Sequence, residues 1–148
     1  MLPEPRLKQY VIIWLNKEGY DVIGLPADTG PASLPSRRGA PLKSPNPPDI
    51  YAKRRGQNFY YYIEAKGDPP GTQALSSVLG EITRHMVATT PTRYAIAVPM
   101  SFCRIIGSYF RYEAWKRLGV YILLVDENAE VSELNPSKRN HEWICSLA

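Results

Sequence analysis

The sequence predicts an α/β fold: one domain of 148 residues, with a central mixed β-sheet and helices on both faces. The first observation is that segments with helical spacing of apolar residues alternate with short strand-like segments, in the order αβββαβαβ. The second is that the early strands have tight connections, which suit antiparallel pairing, whereas helices separate the later strands, which suits parallel pairing.

Composition narrows the functional classes. The chain has 18 Lys and Arg residues against 14 Asp and Glu residues, and this excess of +4 permits an anionic partner without requiring one. Its apolar runs are far shorter than the ~20 residues of a membrane span, and no signal peptide is visible at the N-terminus. Cys103 and Cys145 have no metal-ligand spacing, which excludes a zinc knuckle, and two cysteines argue against a disulfide framework. We therefore expect a cytoplasmic protein without a membrane partner.

The N-terminal third combines a helix, a strand and a long loop. Apolar residues at helical spacing predict a helix over 7–18 that ends at Gly19, followed by a strand over 20–25. Residues 26–48 hold seven of the fourteen prolines, so we predict a loop there. This Pro-rich loop is basic, and it is either a solvated segment or an arm that contacts phosphates.

A hairpin is predicted next. Residues 49–54 and 59–66 form two strands, and the polar turn 55–58 joins them. In the second strand the residues alternate between two faces, so that Glu64 and Lys66 point the same way and away from the apolar set. The remaining predicted elements are a helix over 74–86, a buried strand over 93–98, a helix over 102–118, a buried strand over 120–125, an edge strand over 130–134 and a C-terminal coil or short helix.

The chemistry-bearing feature is an acid at the start of one hairpin strand and an acid and a base at the end of the other. Antiparallel pairing brings Asp49 close to Glu64, with Lys66 beside them. Two carboxylates repel each other unless a positive charge lies between them, and Mg²⁺ is a cation that prefers such oxygen ligands. A bound metal can supply a nucleophilic water and stabilise charge on phosphate. These residues therefore predict hydrolysis of a phosphodiester.

Pro48-Asp49, the Glu64-Ala65-Lys66 triplet and the surrounding order of elements resemble the PD-(D/E)XK superfamily, the fold of many restriction endonucleases and archaeal Holliday junction resolvases. The resemblance covers roughly residues 5 to 125. It implies a restriction-endonuclease-like fold, Asp49 and Glu64 as ligands of Mg²⁺ or Mn²⁺, a further ligand in the carbonyl of Ala65, and Lys66 serving the attacking water.

The resemblance also raises the question of which residues support this centre. Many members place a glutamate on the first helix; here Gln9 lies near the expected place, Glu4 precedes the periodic part and Glu18 lies at its far end. Gln73 matches the glutamine that some members use on the helix after the triplet, and Glu81, two turns further on, is a candidate supporting acid. We assign no role to His85 or His141.

We expect the partner to be nucleic acid, most simply DNA, and a homodimer is plausible because cutting two strands often uses two sites. The residues expected to contact its phosphate backbone are Arg37, Arg38, Lys53, Arg54 and Arg55.

Three alternatives stay open. The chain could keep the fold as a DNA-binding or assembly module with a weak or inactive metal site. It could be a small-molecule binder in which the Glu-x-Lys match is accidental, or Asp49, Glu64 and Lys66 could form an ordinary surface ion pair. The sequence indicates neither the form of the substrate nor any sequence specificity.

Overall fold

The computed structural model describes residues 1–24, 48–86, 91–109 and 112–137. Most of the Pro-rich loop, including Arg37 and Arg38, and the C-terminal segment 138–148 lie outside the described residues. The elements in chain order are α1 (Glu4–Lys17), β1 (Tyr20–Gly24), β2 (Ile50–Arg54), β3 (Tyr60–Ala65), α2 (Thr72–Thr83), β4 (Thr92–Pro99), a short 3-10 turn (Met100–Phe102), α3 (Cys103–Tyr109), α4 (Tyr112–Leu118), β5 (Val120–Val125) and β6 (Val131–Leu134).

The strands form one open six-stranded sheet in the order β1-β2-β3-β4-β5-β6. The first three strands pair antiparallel, β3, β4 and β5 pair parallel, and β6 returns antiparallel at the edge. This mixed sheet between helices confirms the predicted fold class and agrees with the restriction-endonuclease-like architecture that the resemblance implies. Where one helix was predicted over 102–118, the structure describes the 3-10 turn, α3 and α4.

Two apolar clusters cover the two faces of the sheet. The face under α1 is packed with Leu7, Val11, Leu15, Ile63, Ala65 and Ala97. The face under α2, α3 and α4 is packed with Leu75, Ile82, Phe102, Trp115, Ile96, Ile122 and Leu124. β3 contributes to both faces because its side chains alternate: Ile63 and Ala65 lie under α1, and Tyr62 lies under α2. Glu64, which has the parity of Tyr62, is therefore directed towards α2.

The start of α1 is held against the segment that follows β3. The backbone N–H of Leu2 donates to Oδ2 of Asp68 at 2.6 Å, and the N–H of Asp68 donates to the carbonyl of Leu2 at 3.0 Å. A Cβ atom at Gly67 would collide with the backbone of Pro3 and Glu4. The glycine therefore permits a close approach that brings the first turn of α1 beside the end of β3.

No helix in the part of the chain that the structure describes combines the length and the apolar character that a bilayer span requires.

Candidate metal centre

Three carboxylates from three parts of the chain meet at one end of the β2–β3 hairpin. Asp49 precedes β2, Glu64 lies in β3, and Glu81 lies in the last turn of α2. One oxygen atom from each side chain lies within 4.8 Å of the others. The cause is strand register: Ile50 is paired with Ile63, which places Asp49 opposite Glu64. The predicted proximity of Asp49 and Glu64 is therefore present, and Glu81 joins them.

Asp49 is fixed through both of its carboxylate oxygens. Its Oδ2 accepts a hydrogen bond from the backbone N–H of Ala65 at 2.9 Å. Its Oδ1 lies 3.2 Å from the Nζ of Lys8 on α1. The carboxylate therefore bridges the end of β3 and the first helix, and its orientation is set before any ligand arrives.

Glu64 is the buried member of the cluster, with 3% of its surface exposed. Burial raises the pKa of Glu64 to about 9, and hydrogen bonding and charge repulsion from Asp49 and Glu81 act in the same direction. A carboxylate in such a place is unfavourable in its ionised form unless a positive charge approaches it. The site is therefore short of positive charge at Glu64 itself.

His85 lies against Glu64, a contact that the sequence did not predict. Its Nε2 is 3.2 Å from Oε1 of Glu64, and its side chain is 8% exposed. Burial, reinforced by the charge of Arg84, lowers the pKa of His85. The imidazole is therefore neutral near pH 7 and does not neutralise Glu64. The signal in the sequence is the spacing of Glu81 and His85, which places two polar groups on one side of the helix and the turn after it.

The first helix supplies both an acid and a base. α1 begins at Glu4, with Pro5 in its first turn, so the expectation that Glu4 precedes the helix is wrong; proline suits this position because its missing N–H is not needed there. Glu4 approaches the centre through Lys8, whose Nζ lies 3.0 Å from Oε1 of Glu4. Gln9 and Glu18 are both exposed. In the sequence, the signal for this ion pair is the four-residue spacing of Glu4 and Lys8.

Lys66 directly follows β3 and is half-buried. Its backbone N–H donates to the carbonyl of Ala97 at 2.9 Å, so the extended chain continues through it and keeps the parity of Glu64. Gln73 is exposed in the first turn of α2, about 12 Å along the helix axis from Glu81 at 1.5 Å per residue. The roles predicted for Lys66 and Gln73 stay predictions.

The described basic residues expected to meet phosphates lie away from the carboxylates. Lys53 pairs with Tyr60 at the far end of the hairpin, about 13 Å along the strands from Asp49 at ~3.3 Å per residue. Arg55 binds Asp21 through Nε at 2.8 Å and donates to the carbonyl of Asn16 at 3.2 Å. Arg55 therefore ties the hairpin turn to the end of α1. The guanidinium of Arg54 lies over the ring of Tyr20, and its Cζ atom is 5.7 Å from the ring centroid.

The donor set fits a metal ion. Carboxylate oxygens are the ligands that hard divalent cations prefer, and a cation among Asp49, Glu64 and Glu81 would remove the repulsion that raises the pKa of Glu64. The three residues could hold such an ion. Carboxyl groups of Asp49 and Glu64 lying far apart would have removed the metal site, and they lie close together instead.

Comparison with known proteins gives a likeness of fold alone. No protein-family model matches the sequence, and neither does any curated protein. Two solved structures are similar: an XisH family protein from Nostoc punctiforme PCC 73102 and an fdxN element excision controlling factor protein from Anabaena variabilis. Each aligns with a TM-score of 0.54 and 19% identity over 87% of this chain and 98% of the other. The structural neighbours are thus XisH family proteins.

Proposed function

We propose that this chain is a metal-dependent nuclease that hydrolyses phosphodiester bonds in DNA. The observation that carries the proposal is the convergence of Asp49, Glu64 and Glu81 within 4.8 Å in a restriction-endonuclease-like sheet. The first two acids and the lysine are those that the resemblance to the PD-(D/E)XK superfamily marks as functional.

Mg²⁺ or Mn²⁺ is the ion that this donor set suits, because all three side chains offer hard oxygen atoms. When bound, the ion would supply a nucleophilic water and stabilise the charge that develops on the phosphate. Asp49 is ready to bind, since Ala65 and Lys8 fix its orientation. Glu64 must first release the proton that its raised pKa retains.

Lys66 is the group that we assign to the attacking water. It lies two residues beyond Glu64 with the same strand parity, so its chain leads to the side of the sheet that carries the acids. As an ammonium it would donate hydrogen bonds to the water oxygen and to a phosphate oxygen, and would orient one towards the other.

DNA is the substrate that we favour, because one of the similar structures is named an fdxN element excision controlling factor protein. The net charge of +4 is compatible with a polyanionic partner. Cleavage of both strands of a duplex would use two copies of the centre, and we propose a homodimer for this purpose.

The test is cleavage of plasmid, linear and branched DNA in Mg²⁺, in Mn²⁺ and in EDTA. We expect cleavage in the metal-containing reactions, and its loss in Glu64→Ala, in Lys66→Ala and in EDTA. Glu130→Gln, which removes an exposed carboxylate from the turn before β6, is the matched control and should cleave like the unaltered protein. Absence of cleavage of every DNA by the unaltered protein, in both metals, would contradict the proposal.

A second candidate is a DNA-binding or assembly module with an inactive centre. The ion pair between Lys8 and Asp49 favours it, because an internal cation already neutralises one of the acids. This candidate predicts retarded migration of DNA with no cleavage in either metal, and the same binding by Glu64→Ala as by the unaltered protein.

A further inference from the structure

Lys8 holds a central position between two acids on different elements. Its Nζ lies 3.0 Å from Oε1 of Glu4 and 3.2 Å from Oδ1 of Asp49. Only 12% of its side chain is exposed, so it is enclosed between α1 and the start of β2 rather than extended into solvent. The ammonium therefore bridges the two carboxylates as a bound cation would.

Each carboxylate oxygen of Asp49 has its own partner. Oδ1 is taken up by Lys8, and Oδ2 accepts the backbone N–H of Ala65. A second divalent ion held by Glu4 and Asp49 would need the carboxylate oxygens that Lys8 contacts. The lysine and such an ion would therefore compete for the same oxygens.

Lys8 is a cation held between two anions, because its Nζ lies within 3.2 Å of a carboxylate oxygen of both Glu4 and Asp49. The position of α1 is also fixed, because its first turn lies against Gly67 and the backbone of Leu2 binds Asp68. The ammonium is therefore a permanent part of the site.

We propose that the centre takes one divalent cation, bound by Asp49, Glu64 and Glu81, and that Lys8 stands between Glu4 and Asp49 where a second cation would otherwise bind. Lys8 is thus a positioning residue that sets the number of ions, and Glu4 serves the lysine rather than the metal. This inference rests on the proposed function, because it presumes that the acidic cluster binds metal.

The experiment counts bound ions and does not depend on activity. Mn²⁺ is titrated into metal-free protein at pH 8, and the unbound ion is measured by its electron paramagnetic resonance signal. We expect one ion per chain for the unaltered protein and two for Lys8→Met, which keeps the aliphatic part of the side chain but lacks the charge. The double variant Glu4→Gln, Lys8→Met should return to one ion.

Two controls make the result specific. Lys17→Met removes the same charge from an exposed position at the other end of α1 and should keep one ion. Glu4→Gln alone should keep the single ion, and it tests the inference even if Lys8→Met fails to fold, which a thermal melt would show.

The outcomes separate this inference from the proposed function. Two ions bound by the unaltered protein, loss of the ion in Glu4→Gln, or one ion in folded Lys8→Met would overturn the inference and leave the metal site standing. Binding of no ion by the unaltered protein would overturn the proposed function, and the inference with it.

Discussion

The Nε2 atom of His85 lies 3.2 Å from Oε1 of Glu64, and both side chains are nearly excluded from solvent. His85 follows α2 in the turn that ends it, so the end of this helix holds the carboxyl group of the central strand. Glu81 lies one turn earlier, in α2. The end of α2 and the turn after it therefore present to Glu64 both Glu81, which repels it, and His85, which is neutral. The position of α2 therefore contributes, with burial and the charge of Asp49, to how readily Glu64 ionises.

Replacing His85 by Ala is expected to destabilise the metal-free protein. The substitution removes one partner of the buried carboxyl of Glu64, at a cost of about 1 kcal/mol, typical of one lost hydrogen bond. Urea unfolding in EDTA at pH 7 measures the effect. His85→Gln should lose less, because its amide nitrogen can replace the contact, and Ser77→Ala on the exposed side of α2 should change nothing. Equal losses in His85→Ala and Ser77→Ala would refute the assignment.

The stability of the metal-free protein should fall as the pH rises through the neutral range. The pKa of Glu64 is about 9 in the folded chain, against an ordinary value of 4.5. A carboxyl with a raised pKa stabilises the fold while it is protonated, so its contribution is complete below pH 4.5 and is lost progressively up to about pH 9. The slope from this single group is at most about 1.4 kcal/mol per pH unit.

Glu64→Gln isolates this contribution, because the amide cannot ionise. In EDTA, unfolding free energies measured from pH 7 to pH 8.5, above the range in which His85 titrates, should decline in the unaltered protein and in Glu130→Gln, and should stay nearly level in Glu64→Gln. Above neutral pH the variant should therefore be the more stable protein. Parallel curves for Glu64→Gln and the unaltered protein would show that Glu64 is ionised at ordinary pH.

Gly67→Ala should displace the first turn of α1. The new Cβ would meet the backbone of Pro3 and Glu4, which cannot move aside as a flexible side chain can. We expect a loss of about 1–3 kcal/mol in the free energy of unfolding, typical of overpacking. Gly107→Ala in α3, where a Cβ meets nothing within 4 Å, is the control and should be neutral or stabilising. A fully stable Gly67→Ala protein would contradict the role given to Gly67.

Arg55 should contribute more to the stability of the hairpin turn than to DNA binding. Its ion pair with Asp21 and its hydrogen bond to the carbonyl of Asn16 are both exposed, so Arg55→Ala should cost about 1 kcal/mol or less. Lys53→Ala removes the same charge from an exposed position nearby and should leave stability unchanged. If Arg55→Ala weakens DNA binding more than Lys53→Ala without any loss of stability, Arg55 contacts the nucleic acid.

The sheet could be predicted from the sequence because the patterns that indicate its strands and turns are local. The alternation in β3 and the turn before it predict a hairpin, and Asp49 and Glu64 at its open end follow from antiparallel pairing. The buried strands β4 and β5 follow from their apolar runs.

The contacts made across elements were harder to predict. Lys8 and His85 look like ordinary polar residues along their own helices, and only tertiary packing brings them to Asp49 and Glu64. The start of α1 was missed because apolar periodicity begins at Leu7, whereas the helix begins one turn earlier at Glu4, where packing against Gly67 holds it. The extended conformation of β2 also separates Lys53 from Asp49, although the two residues are close in sequence.

The pairing of Ile50 with Ile63 has a consequence for how such a protein can change. In a hairpin the length of the turn fixes which residues face each other, and a shift by one residue exchanges the two faces of a strand. One residue gained or lost within 55–58 would turn Glu64 towards α1 and away from Glu81 and His85, although nothing near the acids had been altered. The length of this turn therefore controls the orientation of Glu64 from the other end of the hairpin. We expect the turn to tolerate less variation in length than its exposed position suggests.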